Sequence, residues 1–214
     1  MVSPRTSGER DPHGKQPDIE DIPYTHYQVM TEALSELLIE KDLVTRDEFR
    51  AQLELMDTKG PMNGAQMIAR AWIEPSFKAR MLVDVNAAAT DMGLDAGHIP
   101  IRCVENTPER HNVIVCTLCS CYPRFLIGLP PDWYKSRAYR SRTIREPREV
   151  LKEFGTHIPE EVEVRVHDST ADLRYMVLPM RPEGTENLKS EELARLVTRD
   201  SMIGVTILNT YRKE

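Results

Sequence analysis

From Thr25 onward, apolar residues recur at three- and four-residue spacing: Val29, Met30, Ala33, Leu34, Leu37 and Leu38 share one face and predict a helix. Thr45-Arg46-Asp47-Glu48 has the form of a capping box and opens a second helix, with Phe49, Leu53 and Met56 on one side. Gly60-Pro61 ends it. A third helix is expected from about Asn63 to Ile73, stopping near Pro75, and a fourth carries Phe77, Met81, Leu82 and Val85 to Gly93. Residues 25–93 therefore read as helical, with amphipathic faces that need a partner surface. Past Gly93 the period changes. Ile101 to Val104 and Asn112 to Cys116 are short apolar runs of strand type, with Asn106-Thr107-Pro108 as a turn between them. Residues 129–142 interleave Trp133, Tyr134 and Tyr139 with Arg137, Arg140 and Arg142. Pro147 and Gly155 frame a helix from Arg148 to Phe154. Val162, Val164 and Val166 alternate with polar residues, and Tyr175 to Leu178 follows after Asp168-Ser169-Thr170, a strand-turn-strand pattern. Ser190 is expected to cap a last helix bearing Leu193, Leu196 and Val197, and Ile203 to Leu208 to close as a strand. The class is α+β.

Length and composition sharpen this only a little. A chain of 214 residues that is 40% hydrophobic fits one domain with an appendage, or two small ones. Residues 1–24, with Pro4, Pro12, Pro17 and Pro23 among scattered charges, read as a flexible arm ahead of a helical segment, 25–93, and a mixed segment, 94–214. A net charge of −6 gives no electrostatic footprint for nucleic acid. No run approaches the roughly 20 apolar residues of a membrane span, and Met1 to Pro23 has no apolar core of a secretory signal. The expected setting is cytoplasmic.

The chemistry concentrates in six residues. Three of the four cysteines lie in Cys116-Thr117-Leu118-Cys119-Ser120-Cys121, directly after an apolar strand. The sulfurs of Cys119 and Cys121 and the amide nitrogens of Ser120 and Cys121 can face one ion. A six-membered chelate ring closes from Cys119 sulfur to Ser120 nitrogen. Two five-membered rings follow, one through the nitrogens of Ser120 and Cys121, one through Cys121 nitrogen and its own sulfur. Cys116 caps that plane and leaves the opposite side open, as a catalytic rather than a structural site requires. Buried free thiols would account for one cysteine, not for three so close together. Zinc wants a second ligand pair, yet Cys103 stands alone and His111, His157 and His167 lack ligand spacing. A redox dithiol should open a helix, which Cys121 and Pro123 do not favour. Soft thiolates with strong nitrogen donors suit a transition metal.

The stretch from Val115 to Cys121 resembles the metal-binding segment of the nitrile hydratase α subunit and of the related thiocyanate hydrolase γ subunit. The likeness extends through Ala71-Trp72-Ile73-Glu74-Pro75, Val104-Glu105-Asn106-Thr107, His111-Asn112-Val113 and Leu129-Pro130-Pro131-Asp132-Trp133-Tyr134-Lys135. It continues through Glu153-Phe154-Gly155, Arg174-Tyr175, Leu178 to Thr185 and Val197-Thr198-Arg199-Asp200, so it spans roughly residues 27–208. The resemblance implies a helical arm followed by a layered α-β-β-α domain. It implies a metal held by Cys116, Cys119 and Cys121 with the deprotonated amides of Ser120 and Cys121, with Cys119 a sulfinic and Cys121 a sulfenic acid. Cys119, Ser120 and Cys121 then carry the catalysis. Thr117 is similar to the cobalt branch, so Co(3+) is expected ahead of Fe(3+). Partners implied are a β-type subunit, an activator protein for cobalt insertion and a small nitrile, hydrated to its amide. Thiocyanate hydrolysis is the alternative, as is a multi-subunit hydratase for a bulky heterocyclic nitrile.

In the family, arginines of the β subunit hold the oxidised sulfurs; Arg137, Arg140, Arg142 and Arg145 are the local alternative. Two departures stand out. Arg124 occupies the place, three residues past the last cysteine, where hydratases of the family usually carry Trp, a feature closer to thiocyanate hydrolase. Residues 93–98 are shortened, without the Gln expected to meet the pocket, and His98 stands there instead. Arg124, Tyr122 and His98 are thus the expected pocket residues, and Asp168 and Glu105 the expected supports of the loop backbone.

Overall fold

The structure, a computed structural model, describes residues 26–57 and 59–208. The expected arm, residues 1–24, lies outside them. Eleven helices and four strands are described: α1 (His26–Glu40), α2 (Arg46–Asp57), α3 (Met62–Ile73), α4 (Pro75–Val83), α5 (Val85–Thr90), β1 (Ile101–Glu105), β2 (Arg110–Val115), α6 (Arg124–Ile127), α7 (Asp132–Lys135), α8 (Arg137–Arg145), α9 (Pro147–Glu153), β3 (Glu163–Asp168), β4 (Arg174–Leu178), α10 (Ser190–Leu196) and α11 (Arg199–Ile203). Helix and strand are mixed, as the patterning predicts. The capping box is formed: Thr45 N–H donates to Glu48 Oε2 at 2.8 Å and Glu48 N–H to Thr45 Oγ1 at 3.1 Å.

The helices divide sharply by what they bury. Helix α1 has no buried residue, and Tyr27, Val29, Met30, Leu34, Leu37, Phe49, Leu53 and Leu55 of α1 and α2 are exposed. By contrast α3 buries Gly64, Ala65, Met67, Ile68, Ala69 and Ala71, packing on α4, α6 and α10. Gly64 is needed there, since a Cβ would lie 2.7 Å from Ile127 Cγ2 and 2.8 Å from Met202 Sδ. The expected fourth helix is instead two, because Asp84 leaves helical backbone (φ −149°, ψ 105°) and its carboxylate accepts the Ala87 N–H to cap α5.

In neither strand-turn-strand segment do the two strands pair with each other. β1 pairs with β4 and β2 with β3, both parallel, as two two-stranded sheets. Neighbours in sequence therefore enter different sheets, and the turn at Thr107 makes only an isolated bridge to Arg110. The closing strand from Ile203 to Leu208 is also absent: Thr198, whose side chain accepts from Ser201 N–H, caps the short helix α11, and Gly204 ends it at φ 91°. A Cβ on Gly204 would sit 2.0 Å from the Asn112 carbonyl oxygen, so only glycine fits. Nor is Ser190 the cap of α10. Lys189 is the cap residue, and its N–H donates to Glu192 Oε2 at 2.9 Å.

A buried polar chain ties the strands together. Asn106 Oδ1 accepts from Asn112 N–H (2.7 Å) and Asn112 Nδ2 (3.0 Å), so its Nδ2 faces His111 Nδ1 at 3.3 Å. His111 Nε2 lies 2.7 Å from the Gly204 carbonyl, which only accepts. The imidazole is therefore the neutral tautomer with its hydrogen on Nε2. Burial, opposed by the bond to Gly204, holds the His111 pKa below its usual value.

Candidate metal centre

β2 delivers the thiol loop. Its last residues, Val113, Ile114 and Val115, are fully buried, and Cys116 follows with its side chain in the same core. The chain then turns outward: Leu118 is 82% exposed, Cys119 is exposed and Cys121 half-buried. The three sulfurs lie within 4.8 Å of one another, with Cys116 Sγ to Cys119 Sγ at 3.6 Å and Cys119 Sγ to Cys121 Sγ at 3.3 Å. Cys119 N–H donates to Cys116 Sγ at 3.3 Å. The amides of Ser120 and Cys121 favour the ionised form of the Cys119 sulfur. Burial opposes ionisation of Cys119, but hydrogen bonds from Cys121, from those two amides and from Cys116 outweigh it and hold its pKa low. Burial and donation to Cys119 and Cys116 push the Cys121 thiol up to about 12. The three sulfurs thus converge on one region, on the stretch of loop that also carries the Ser120 and Cys121 amides, and a thiophilic ion fits these five donors.

Neighbouring elements fix the loop from three sides. Asp168, at the end of β3, accepts from Thr117 N–H at 2.9 Å and from Thr117 Oγ1 at 2.6 Å. This is the expected support. Tyr134 of α7, with no exposure, donates its hydroxyl to the Cys121 carbonyl at 3.0 Å. Tyr139 of α8 donates to the Ile114 carbonyl at 2.7 Å, and Arg140 Nη1 to the Leu118 carbonyl at 2.9 Å. The aromatic run thereby becomes a scaffold: Tyr122 meets Tyr134 edge-on at 5.1 Å, and Trp133 meets Tyr139 and Phe154 at 4.9 and 4.7 Å. Glu105 is not a loop support; its carboxylate pairs with Lys78 and its carbonyl accepts from Asn112.

A cleft of about 610 Å³ opens beside Cys119, Ser120 and Cys121, lined on its other sides by His98, Tyr122, Arg124, Phe125, Lys135 and Arg174 among others. His98, Tyr122 and Arg124 are brought together with the loop; Tyr122 is buried and its hydroxyl has no hydrogen-bond partner. Of the four α8-region arginines, Arg142 is committed elsewhere, bidentate to Glu153 at 2.9 and 2.7 Å. Arg145 donates to the Ser141 carbonyl at 3.2 Å. Among the cations that line the cleft is one to which sequence reading assigns no role. Arg174 opens β4 opposite Ile101, buries an unpartnered Nη1, and its charge favours the ionised form of Cys121. The signal for it was the Arg174-Tyr175 pair, whose place at the cleft depends on the β1–β4 register.

Comparison with known proteins agrees with this geometry. The family profile described as nitrile hydratase, alpha chain, matches residues 25–206. A low-molecular weight cobalt-containing nitrile hydratase subunit alpha of Rhodococcus rhodochrous is 48% identical over 183 residues, 85% of this chain and 88% of its own. The thiocyanate hydrolase subunit gamma of Thiobacillus thioparus is 38% identical over 203 residues, 89% and 83% of the two chains. Among solved structures, a double histidine mutant of the Fe-type nitrile hydratase from Comamonas testosteroni Ni1 superposes with TM-score 0.81 at 42% identity, covering 88% of this chain and 94% of that one. With its thiol loop at the end of β2 and this extent of likeness, the chain belongs to the nitrile hydratase α-chain family of enzymes.

Proposed function

We propose that this chain is the metal-bearing subunit of a nitrile hydratase, with Cys116, Cys119 and Cys121 and the amides of Ser120 and Cys121 holding a trivalent cobalt ion. The observation that carries this reading is the convergence of three sulfurs within 4.8 Å on the loop that also carries the Ser120 and Cys121 amides. When bound, the ion supplies a Lewis acid for the C≡N group or for water. The anionic donor set suits a trivalent ion. Cobalt is preferred over iron for Thr117 and for the cobalt-containing names of the relatives; an Fe-type structural neighbour keeps iron as the second choice.

The chain's own residues supply the rest. Cys116, buried at the strand end, anchors the site. Asp168 and Tyr134 fix the loop on either side of Cys119, and Cys119, Ser120 and Cys121 line the cleft. With Cys119 as sulfinic and Cys121 as sulfenic acid, the Cys121 oxygen would supply the base or nucleophile of the addition. Water's oxygen goes to the nitrile carbon and both hydrogens end on nitrogen, giving the amide. Three thiolate-derived and two amidate charges exceed three on the ion by two, and Arg174 offsets one of these. A β-type subunit brings the remaining cations and covers the apolar faces of α1 and α2, and an activator protein loads the cobalt. The layered α-β-β-α arrangement of residues 94–214 and the division at residue 93 belong to this reading, as does a cytoplasmic setting, which suits free thiols awaiting metal.

The test is to purify the complex after expression with cobalt and measure metal, intact mass and turnover together. Stoichiometric cobalt, a mass raised by three oxygen atoms and conversion of a nitrile to its amide are expected. Fully titratable thiols with no stoichiometric cobalt or iron would overturn the reading. A second reading, thiocyanate hydrolysis, is favoured by Arg124 and by the thiocyanate hydrolase relative; carbonyl sulfide and ammonia from thiocyanate, with no amide from nitriles, would select it.

A further inference from the structure

Where the thiol loop rejoins the body of the protein, three buried polar atoms have no hydrogen-bond partner among the described residues. They are the Tyr122 hydroxyl, Arg199 Nε and Asp200 Oδ1. Tyr122 directly follows Cys121, is 5% exposed, and meets Tyr134 edge-on at 5.1 Å. Arg199 and Asp200 belong to α11, which packs on β2 and β4, and the charges of both act on the Tyr122 hydroxyl. Arg199 Nε and Asp200 Oδ1 stand 3.7 Å apart. That is close enough for an ion pair and too far for a hydrogen bond. A polar contact of this length is one that a water molecule completes. Arg199 is fixed from another side, where Nη1 donates to the Leu129 carbonyl at 3.4 Å.

The three atoms also select their occupant. An anion would be repelled by Asp200 and a cation by Arg199. Water suits all three: it accepts from Arg199 Nε, donates to Asp200 Oδ1, and does either with the hydroxyl. We propose that Tyr122, Arg199 and Asp200 hold one internal water molecule, and that through it α11 positions the Cys121 end of the thiol loop. Tyr122 is then held at its ring by Tyr134, which also binds the Cys121 carbonyl, and at its hydroxyl by α11. Asp200 is a positioning residue, acting on Cys121 only through the water and Tyr122. The water site stands without the hydratase reading; the positioning role rests on it.

The cobalt-expressed native complex is crystallised, and Tyr122→Phe, Asp200→Asn and Asp200→Leu complexes are compared with it in solution. An ordered water within hydrogen-bond distance of the Tyr122 hydroxyl and of Arg199 Nε or Asp200 Oδ1 is expected. Direct protein contacts at these atoms, from this chain or a partner, overturn the site. Melting gives an independent sign. Removing an orphaned hydroxyl leaves Tm unchanged or raises it, whereas removing a water-bound one lowers it. Tyr122→Phe is therefore expected to fall by about 2–4 °C, Asp200→Leu to fall with it, and Asp200→Asn, which keeps an acceptor oxygen, to stay nearer the native value; an unchanged or raised Tm in Tyr122→Phe refutes the site. For the positioning role, Asp200→Leu should shift the sulfur-to-cobalt charge-transfer band and lower kcat about fivefold with KM held, with Asp200→Asn restoring both. A band and kcat unmoved in Asp200→Leu refute that role even where the water is seen. If no nitrile yields amide, the hydratase reading and the positioning role fall together, and density and melting still decide the water site.

Discussion

Tyr134→Phe should loosen the metal loop while leaving the ring contacts around it in place. The ring is fully buried, edge-on to Tyr122 at 5.1 Å and to Trp133 at 6.1 Å, so phenylalanine keeps those contacts and removes one atom. That atom is the donor to the Cys121 carbonyl at 3.0 Å. Losing it leaves a carbonyl short of a partner next to a proposed ligand, a change of about 1–2 kcal/mol. For a domain of this size each kcal/mol moves Tm by about 2–4 °C, so a fall of about 2–8 °C is expected. To the extent that the loss is expressed in the metal-bound state, cobalt should be retained about 5–30 times less well.

Tyr139→Phe is the matched control. It removes a bond of similar kind, to the Ile114 carbonyl at 2.7 Å, but within β2 rather than in the loop. Differential scanning fluorimetry and cobalt remaining after dialysis against a chelator would be measured on both complexes. Comparable melting losses with cobalt loss confined to Tyr134→Phe are expected. Equal cobalt retention in native and Tyr134→Phe complexes, or equal losses in both variants, refutes the argument that this hydroxyl positions Cys121.

Three further outcomes follow from the same geometry. Asp168→Ala removes both acceptors of Thr117, and because Asp168 is exposed the cost should lie near the low end of about 1–3 kcal/mol; cobalt content and turnover should fall more than circular dichroism changes. Gly204→Ala forces a Cβ to 2.0 Å from the Asn112 oxygen at a positive φ, so a loss above about 4 kcal/mol, seen as insoluble chain or a collapsed melting transition, is expected. The pKa of His111 is lowered in the fold, so the unfolded chain binds more protons between that value and the ordinary one near 6.5. Stability is therefore fully present above about pH 6.5 and declines as pH falls toward the folded value. His167, lowered by burial and by Arg165 and Arg110, acts in the same direction. Denaturant midpoints at neutral and acid pH should differ less in His111→Gln, whose amide still reaches a carbonyl but does not titrate.

What the sequence made legible was local in range. The thiol loop could be read because its donors are neighbours, and chelate rings are counted along the backbone without knowing the fold. Helices α1 to α4 follow from spacing of three and four, and α2 from its reciprocal Thr45–Glu48 cap. The errors in capping, at Asp84, Lys189 and Thr198, are local, but the errors in strand pairing are not. Alternation along Val162, Val164 and Val166 identifies a strand but says nothing of its partner, and the short turn after Asp168 invites a hairpin that the chain does not make. The residues on either side of that turn leave for separate sheets, and each finds a parallel neighbour some fifty or seventy positions earlier. Parallel pairing is what creates the site. It sets the end of β3 beside the end of β2, so that Asp168 reaches Thr117, and it sets the start of β4 against Ile101, which carries Arg174 to the cleft. Four arginines near the aromatic run looked better placed in sequence, yet Arg142 is consumed by Glu153 and Arg140 by a carbonyl. A cation's usefulness to a metal loop is decided by which strand end it stands on, and that is a property of register rather than of proximity along the chain.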